Sequence, residues 1–384
     1  MTPLLRLLSV ALLPLCAACR QPPEPGDPLR SLDTAEVARF EQGRAVFDSA
    51  FIPETGLGPL FNAPSCAACH GVPASGGAGA IFEVHATALR EDGFCDPLAA
   101  LGGPVFQLRV TPALREALGI EAEPIPAAAT DTARRTTPDV FGFGLLDAIP
   151  ESTILALADP DDTNGDGISG RPNRFFDGRL GRFGRKALVP TLAEFNEGAF
   201  LLEQGVTTPN LANEGTVGGQ PLPDGVDPTP EPELDSGRVA LADAFVRFLA
   251  PPAAAKLTGE ARRGRELFSE IGCAGCHMPT LRTGRHPVRA LAYQDVHAYT
   301  DLLLHDLGPD LADICLGLVA QPAEFRTEPL MGLRLMSRFL HDGRAATVAE
   351  AIELHGGEGA AARDAFANLP EAGRRALLAF LGSL

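Results

Sequence analysis

Two copies of the pattern Cys-x-x-Cys-His, at residues 66–70 and 273–277, contain the side chains with the clearest chemistry in this sequence. The spacing is typical of c-type haem attachment, in which both thiols form thioethers with the haem vinyl groups and the histidine binds the iron. Two cysteine pairs could instead form a Cys₄ zinc site. Because a histidine directly follows both pairs, we predict two covalently bound haems, held by Cys66, Cys69, His70, Cys273, Cys276 and His277.

The first residues form an apolar run that is too short to span a membrane and is typical of an export signal. Ala17 and Ala18 precede Cys19 as in a lipoprotein signal, although Cys16 stands where leucine is usual. We interpret residues 1–19 as the signal peptide and residues 20–32 as a proline-rich tether. The expected location is the periplasm, with a lipid anchor on Cys19 at the membrane; simple secretion is the alternative.

The composition limits the partners that the chain can bind. Its 384 residues exceed one ordinary hydrophobic core, which favours two domains. A formal net charge of −17 argues against nucleic acid and favours a basic partner, such as a small cytochrome c that donates or accepts electrons. The sequence has no Trp, so an electron route through indole is excluded.

A weak internal repeat surrounds the two motifs. Gly-Arg-x-x-Phe precedes each of them, at residues 43–47 and 264–268, and an amphipathic segment closes each half. We therefore predict a mainly α fold with two cytochrome c-like domains. The predicted boundaries are residues 33–250 for the N-terminal haem domain, with a loop-rich insertion at 100–235, and 257–384 for the C-terminal haem domain. Short strands are expected only within the insertion.

Further motifs resemble those of the bacterial dihaem oxidoreductases (putative peroxidases), which are relatives of the dihaem cytochrome c peroxidases. The resemblance covers nearly all of the mature chain and implies a peroxidase-like oxidoreductase, with haem 1 as the reactive site and haem 2 as the electron relay. The segments that carry it are residues 135–138, 142–146, 159–171, 181–184, 301–308, 326–330 and 341–344.

The sixth iron ligands would decide what each haem can do. Residues 348–355 should form a helix, and His355 lies fourteen residues after His341, the offset at which the related peroxidases carry a ligand to their second haem. We predict His355 as that ligand; a histidine that caps the helix, or ligation by Met331 or Met336, are the alternatives. The resemblance also suggests His85 for haem 1, against a packed histidine on a strand.

The resemblance implies a glutamate that transfers a proton between the two oxygens of peroxide. Glu203 is the nearest match; Glu194 and Glu197 are neighbours that could be mistaken for it, and all three could be solvated carboxylates. Two positions depart from the family pattern. Arg185 stands where relatives often have Trp, and Phe195 stands where some have Gln.

An acidic loop and two further cysteines complete the set of candidate residues. The loop has the alternate oxygen ligands of a calcium site, although it lacks the bidentate Glu of an EF-hand and could be a set of Asx turns. Its candidate ligands are Asp162, Asn164, Asp166 and the backbone of Ile168. Cys95 and Cys315 are the two cysteines outside the motifs and the predicted signal peptide. They could form a disulfide or be two free thiols.

Two function classes are compatible with the sequence. The first is a peroxidase-like dihaem oxidoreductase. The second is a dihaem electron-transfer protein without substrate chemistry. The residues Arg185 and Phe195, which depart from the family pattern, are compatible with this alternative.

Overall fold

The computed structural model describes residues 22–317 and 319–384. The predicted signal peptide, its lipid-bearing Cys19 and the first residues of the predicted tether lie outside the described residues. No helix in the described part of the chain is long and apolar enough to cross a membrane.

The described part of the predicted tether is docked on the folded body. Leu29 donates its backbone N–H to the carbonyl of Phe248, and Ala250 donates to the carbonyl of Asp27. Leu29 and Leu32 pack against the main hydrophobic core. From residue 23 onward the predicted tether is therefore held against the folded body by backbone pairing and apolar packing, and its role as a tether stays a prediction.

The α-helices are connected by long irregular segments. Their bounds are α1 Thr34–Asp48, α2 Cys66–Cys69, α3 Pro112–Leu118, α4 Phe143–Asp147, α5 Glu151–Leu155, α6 Leu192–Gln204, α7 Ser236–Phe248, α8 Gly259–Glu270, α9 Val348–Glu353, α10 Ala360–Asn368 and α11 Glu371–Leu381. The second motif begins with a 3₁₀ turn, Cys273–Gly275.

Two helix pairs frame the two motifs, and both pairs cross at a glycine. In the first pair, a Cβ on Gly43 of α1 would lie 2.0 Å from the carbonyl oxygen of Leu241 in α7. In the second pair, a Cβ on Gly264 of α8 would lie 1.9 Å from the carbonyl oxygen of Ala376 in α11. Only glycine allows backbones to approach this closely. The Gly-Arg-x-x-Phe repeat therefore has a common structural role in both halves.

Strands occur in both halves, which gives the molecule a mixed α and β content. Their bounds are β1 Leu60–Phe61, β2 Phe82–Leu89, β3 Cys95–Asp96, β4 Val105–Phe106, β5 Arg109–Val110, β6 Asp131–Thr136, β7 Leu281–Arg282, β8 Asp295–Val296, β9 Leu304–Asp306 and β10 Glu324–Arg326. The pairs are all antiparallel, with β2 at the centre of the largest sheet between β3, β4 and β6.

The expectation of strands only within residues 100–235 was wrong. The longest strand, β2, precedes that range, and β7 to β10 lie in the C-terminal half. Most of these strands have two or three residues, so they close loops and do not extend into sheets.

The main hydrophobic core contains residues from both halves, from Phe40 in α1 to Met331. A second core surrounds α8 and α11, with Phe268, Leu377 and Phe380 at its centre. Cys95 and Cys315 form a disulfide that links the halves across 220 residues of sequence, so the two-thiol alternative does not hold. The division into two cytochrome c-like domains stays a prediction.

Candidate functional site

The N-terminal motif occupies the short helix α2 and the residue after it. The Ser65 hydroxyl caps α2 by accepting from the backbone N–H of Ala68 at 3.1 Å. The Nδ1 atom of His70 donates to the carbonyl of Pro138 at 2.9 Å, with the carbonyl of Gly77 at 3.2 Å. Burial lowers the pKa of His70, so its ring is neutral. With the proton on Nδ1, the lone pair is on Nε2, as iron ligation requires.

A cavity of about 70 Å³ adjoins this motif. Its walls combine the motif with apolar side chains from α1, α6 and α7 and with two carboxylates. Its main lining residues are Phe47, Cys66, Cys69, His70, Glu83, Thr137, Phe195, Phe200, Glu203, Gln204 and Val246. The structure therefore brings Glu203 beside the first Cys-x-x-Cys-His motif, while its role in proton transfer stays a prediction.

Glu203 forms a buried hydrogen-bonded chain with Glu83. Asn62 donates its side-chain amide to Glu203 Oε2 at 2.8 Å, and Glu203 is also hydrogen-bonded to Glu83. Burial, followed by the charge of Glu83, raises the pKa of Glu203 well above its usual value. Two buried carboxyl groups that are hydrogen-bonded to each other share one proton, because two adjacent buried negative charges are costly.

Glu83 is the member of the pair that is ionised. Burial opposes its ionisation, but the hydrogen bond from His85, the charge of that ring and the charge of Arg135 together lower the pKa of Glu83. His85 Nε2 lies 2.7 Å from Glu83 Oε2. His85 is buried behind Glu83 and is not among the residues that line the cavity. Ligation of haem 1 by His85 stays a prediction. In the structure, the His85 side chain is a hydrogen-bond partner of Glu83.

The neighbouring glutamates on α6 have other partners. Glu194 forms an ion pair with Arg179 at 2.6 Å, and Glu197 accepts from the Thr208 hydroxyl at 2.6 Å. Neither lines the cavity. Phe195 does line it and packs against the Phe183 ring, so an apolar side chain occupies the position where some relatives have a glutamine.

Glu83 was missed at the level of sequence. The one available signal was its place two residues before His85 in a strand, which puts both side chains on the same face. Contact with Glu203, 120 residues later in the numbering, could not be read from the sequence.

The C-terminal motif has the same histidine geometry in wider surroundings. The Nδ1 atom of His277 donates to the carbonyl of Tyr299 at 2.9 Å. Burial lowers the pKa of His277 to about 4, so this ring is neutral and its lone pair is on Nε2. The adjoining cavity measures about 500 Å³, within the range of about 300–1,000 Å³ usual for cofactor sites.

His355 lies in the wall of the same cavity as Cys273, Cys276 and His277. Its Nδ1 donates to the Ala351 carbonyl at 2.6 Å, which again leaves the lone pair on Nε2. Met331 and Met336 also line this cavity. The prediction of His355 as sixth ligand therefore stays open against the two methionines, with its ring in the protonation state that ligation needs.

Two other histidines at this cavity have structural partners. His305 lies between Asp301 and Glu358, at 2.8 and 2.7 Å, so both ring nitrogens are occupied. Burial disfavours its charged form, but the hydrogen bonds to Asp301, Cys276 and Glu358 raise the pKa of His305 to about 12. His341 stacks on the Phe325 ring with centroids 4.2 Å apart.

A short segment separates the two cavities. Thr137 lines the N-terminal cavity, whereas Thr136, Pro138 and Asp139 line the C-terminal one. The Pro138 carbonyl also accepts from His70. Arg185, at the position where relatives often have Trp, donates to the Thr136 carbonyl at 3.1 Å and lines the C-terminal cavity.

The donor groups at both motifs fit covalent haem better than zinc. In the described residues, the sulfur atoms of the two pairs do not meet in any four-ligand cluster. The C-terminal cavity has the volume for a large apolar cofactor. The N-terminal cavity is much smaller, so here the fit rests on the donor set and the apolar walls.

The acidic loop uses its oxygens for backbone hydrogen bonds. Asn164 Oδ1 accepts from the N–H of Asp166 at 2.8 Å, and Asp166 Oδ1 accepts from the N–H of Ile168 at 2.9 Å. Asp162 accepts from Gly167 at 3.2 Å. These are Asx turns, the alternative that the sequence left open. A calcium ion in this loop stays a prediction.

Comparison with known families decides the affiliation. Residues 128–384, more than half of the chain, match the model of the family described as di-haem oxidoreductase, putative peroxidase. The chain belongs to this family. Membership implies two haem groups in a peroxidase-like oxidoreductase. The match contains the C-terminal motif, whereas the N-terminal motif precedes it.

Other comparisons are weaker. None of the curated proteins matches the sequence. A diheme peroxidase, BthA of Burkholderia thailandensis, shares 17% identity and a TM-score of 0.43, covering 90% of this chain and 86% of its own. A MauG-like protein associated with microbial copper homeostasis shares 16% identity and a TM-score of 0.42, covering 94% and 92%. The hydrazine synthase of Kuenenia stuttgartiensis shares 14% identity and a TM-score of 0.39, covering 100% of both chains. These scores are too low to carry an argument.

Proposed function

We propose that this chain is a peroxidase-like dihaem c-type cytochrome that acts in the periplasm. Haem 1 would be attached to Cys66 and Cys69 with His70 as proximal ligand, and haem 2 to Cys273 and Cys276 with His277. The observation that carries the proposal is the buried Glu203 and Glu83 pair in the cavity of the first motif. An acid and base pair beside an iron site suits cleavage of a peroxide bond.

The pair holds one proton, on Glu203, so the ionised Glu83 would accept the proton of the inner peroxide oxygen while Glu203 delivers its own proton to the outer oxygen. Asn62 fixes one carboxyl oxygen of Glu203, and Glu83 provides the ionised partner that keeps the shared proton available. Phe195 and Phe200 limit the access of water to this cavity. The haem, when bound, supplies the redox chemistry.

The C-terminal site would deliver electrons. His277 and His355 both present a neutral ring to the 500 Å³ cavity, and paired imidazoles give a lower reduction potential than imidazole with thioether. Since no Trp is present, electrons would pass between the sites by tunnelling across the segment at residues 136–139. A lipid anchor on Cys19 and a small basic cytochrome as partner complete the proposal, supported by the sequence pattern and the negative net charge.

Spectroscopy of the purified protein, matured in a bacterial periplasm, tests this function. Mass spectrometry should find two covalent haems. One haem should be high-spin, or become so on half-reduction, and should then bind cyanide and react with peroxide. If both haems are low-spin and neither binds cyanide or reacts with peroxide, the peroxidase proposal is rejected. The protein would then be a dihaem electron-transfer protein.

A further inference from the structure

Arg326 has an unusual set of contacts in the wall of the C-terminal cavity. It ends strand β10, and its side chain is only 3% exposed. Its Nη2 donates to Glu328 at 2.8 Å. Its Nε and Nη1 are both buried and have no partner in the protein. Buried guanidinium donors without an acceptor are costly, which indicates that this position is built for a ligand.

The charges around Arg326 indicate that the ligand is an anion. Arg185 also lines the cavity, and its Nη1 lies 3.0 Å from the same Glu328 carboxylate. Two guanidinium groups therefore share one carboxylate, which leaves one positive charge without a partner. Asp301 also acts on Arg326, but it is paired with His305 at 2.8 Å. Asp139, in the wall of the same cavity, does not supply a full counter-charge, since burial and the charge of Glu328 raise its pKa to about 7.

The cavity itself specifies the kind of anion. Arg326 lines the same space as Cys273, Cys276 and His277, so whatever occupies it is held beside the second motif. A haem carries two carboxylate groups on one edge of an otherwise apolar ring. The N-terminal cavity has no arginine or lysine among its lining residues within the described part of the chain.

We propose that Arg326 binds a propionate carboxylate of the haem at the C-terminal motif, and that Arg185 and Glu328 hold its guanidinium in position. This inference rests on the haem sites of the proposed function. Arg326 would thereby direct the acidic edge of this haem toward Arg185 and Thr136, and so toward the segment that separates the two cavities. The charge-assisted contact would also stabilise the reduced, more negative form of this haem.

The test replaces Arg326 by Gln in the full-length protein with both haems attached. The matched control is Arg282→Gln, because Arg282 is an exposed arginine of the same half, paired with Asp295 at 2.6 Å. The readouts are the covalent haem count, the two midpoint potentials and the propionate-bending bands in resonance Raman spectra. We expect two haems, a shifted propionate band, and a fall in one potential only. A tenfold change in the reduction equilibrium corresponds to about 59 mV.

The outcomes separate this inference from the proposed function. Absence of covalent haem in the unmodified protein would reject both. Two attached haems with potentials and propionate bands equal to those of Arg282→Gln would reject the role of Arg326 alone. If Arg326→Gln does not fold, Arg326→Lys carries the test: it keeps the charge but not the donor geometry, so we expect a shifted band with a nearly unchanged potential. An unchanged band in that variant would overturn the assignment.

Discussion

The two Cys-x-x-Cys-His sites share a five-residue pattern, but the walls of their cavities differ. The N-terminal cavity measures about 70 Å³ and is lined by the carboxylates Glu83 and Glu203. The C-terminal cavity measures about 500 Å³ and is lined by three further histidines, two methionines, guanidinium groups and carboxyl groups. In both, the motif histidine donates Nδ1–H to a backbone carbonyl. The two motifs therefore share the geometry of their histidine, and the surrounding chain makes the two cavities different.

This difference follows from which elements cover each motif. Helix α6 and strand β2 bring acidic side chains to the first site, and both elements lie between the two motifs in sequence. The second site is closed by the residues that follow α9, which include His355, and by β10, which ends at Arg326. Within the described residues, the hydrogen-bonded pair of glutamates therefore lines the first cavity, and His355 lines the second.

The largest expected effect comes from removal of an attachment thiol. Cys276→Ala should lower the free energy of unfolding more than Cys69→Ala, because the C-terminal core surrounds the larger cavity. We expect a loss of about 3–5 kcal/mol for Cys276→Ala, the scale for deleting a large buried apolar group. Yield, melting temperature and haem mass measure this. Equal melting temperatures for the two variants and the unmodified protein would break the comparison.

Glu203→Gln should separate the chemistry of the two sites. Turnover with peroxide should fall about 10²–10⁴-fold, because the proton carrier is lost. The spectrum and potential of the C-terminal haem should not change. Glu194→Gln is the matched control on the same helix, since Glu194 pairs with Arg179 outside the cavity. Unchanged turnover with peroxide in Glu203→Gln would contradict proton transfer by Glu203 at the first site.

His355→Met should sharpen the assignment of the C-terminal centre. If His355 is the sixth ligand, one midpoint potential should rise by about 100 mV or more, as axial ligands set haem potentials over about 0.8 V. Met331→Leu is the control at the same cavity and should leave both potentials in place. If Met331→Leu changes a midpoint potential and His355→Met does not, Met331 is the sixth ligand instead of His355.

The smallest expected effect concerns pH. Burial and the charge of Glu328 raise the pKa of Asp139 to about 7, so the folded protein binds a proton there that the unfolded chain releases near pH 4. Stability should therefore fall as pH rises from about 4 to 7, by about 1–3 kcal/mol. Asp139→Asn should make the free energy of unfolding depend less on pH. Denaturant unfolding at pH 5 and pH 7.5 measures the difference in free energy of unfolding, and Asp161→Asn, at an exposed position, is the control. An equal difference in the unmodified protein and in both variants would contradict the raised pKa of Asp139.

The sequence predicted the parts of the site that depend on local patterns. Both motifs, the helices that precede them and the position of Glu203 beside the first motif could be inferred from spacing and resemblance. The pairing of Cys95 with Cys315 followed from counting cysteines in an oxidising compartment.

What depends on distant contacts could not be inferred. Glu83 meets Glu203 only because β2 packs beside the end of α6. Strands of two or three residues give no readable alternation, so β7 to β10 were missed. The proline-rich composition near residue 25 concealed that Asp27 and Leu29 pair with residues 248–250.

The segment at residues 136–139 has one further consequence. Its peptide groups orient the imidazole on one side while its side chains shape the wall on the other. A displacement of this backbone would therefore retune both metal centres together, so neither can be adjusted independently by changes there. These four positions should therefore tolerate replacement poorly during evolution.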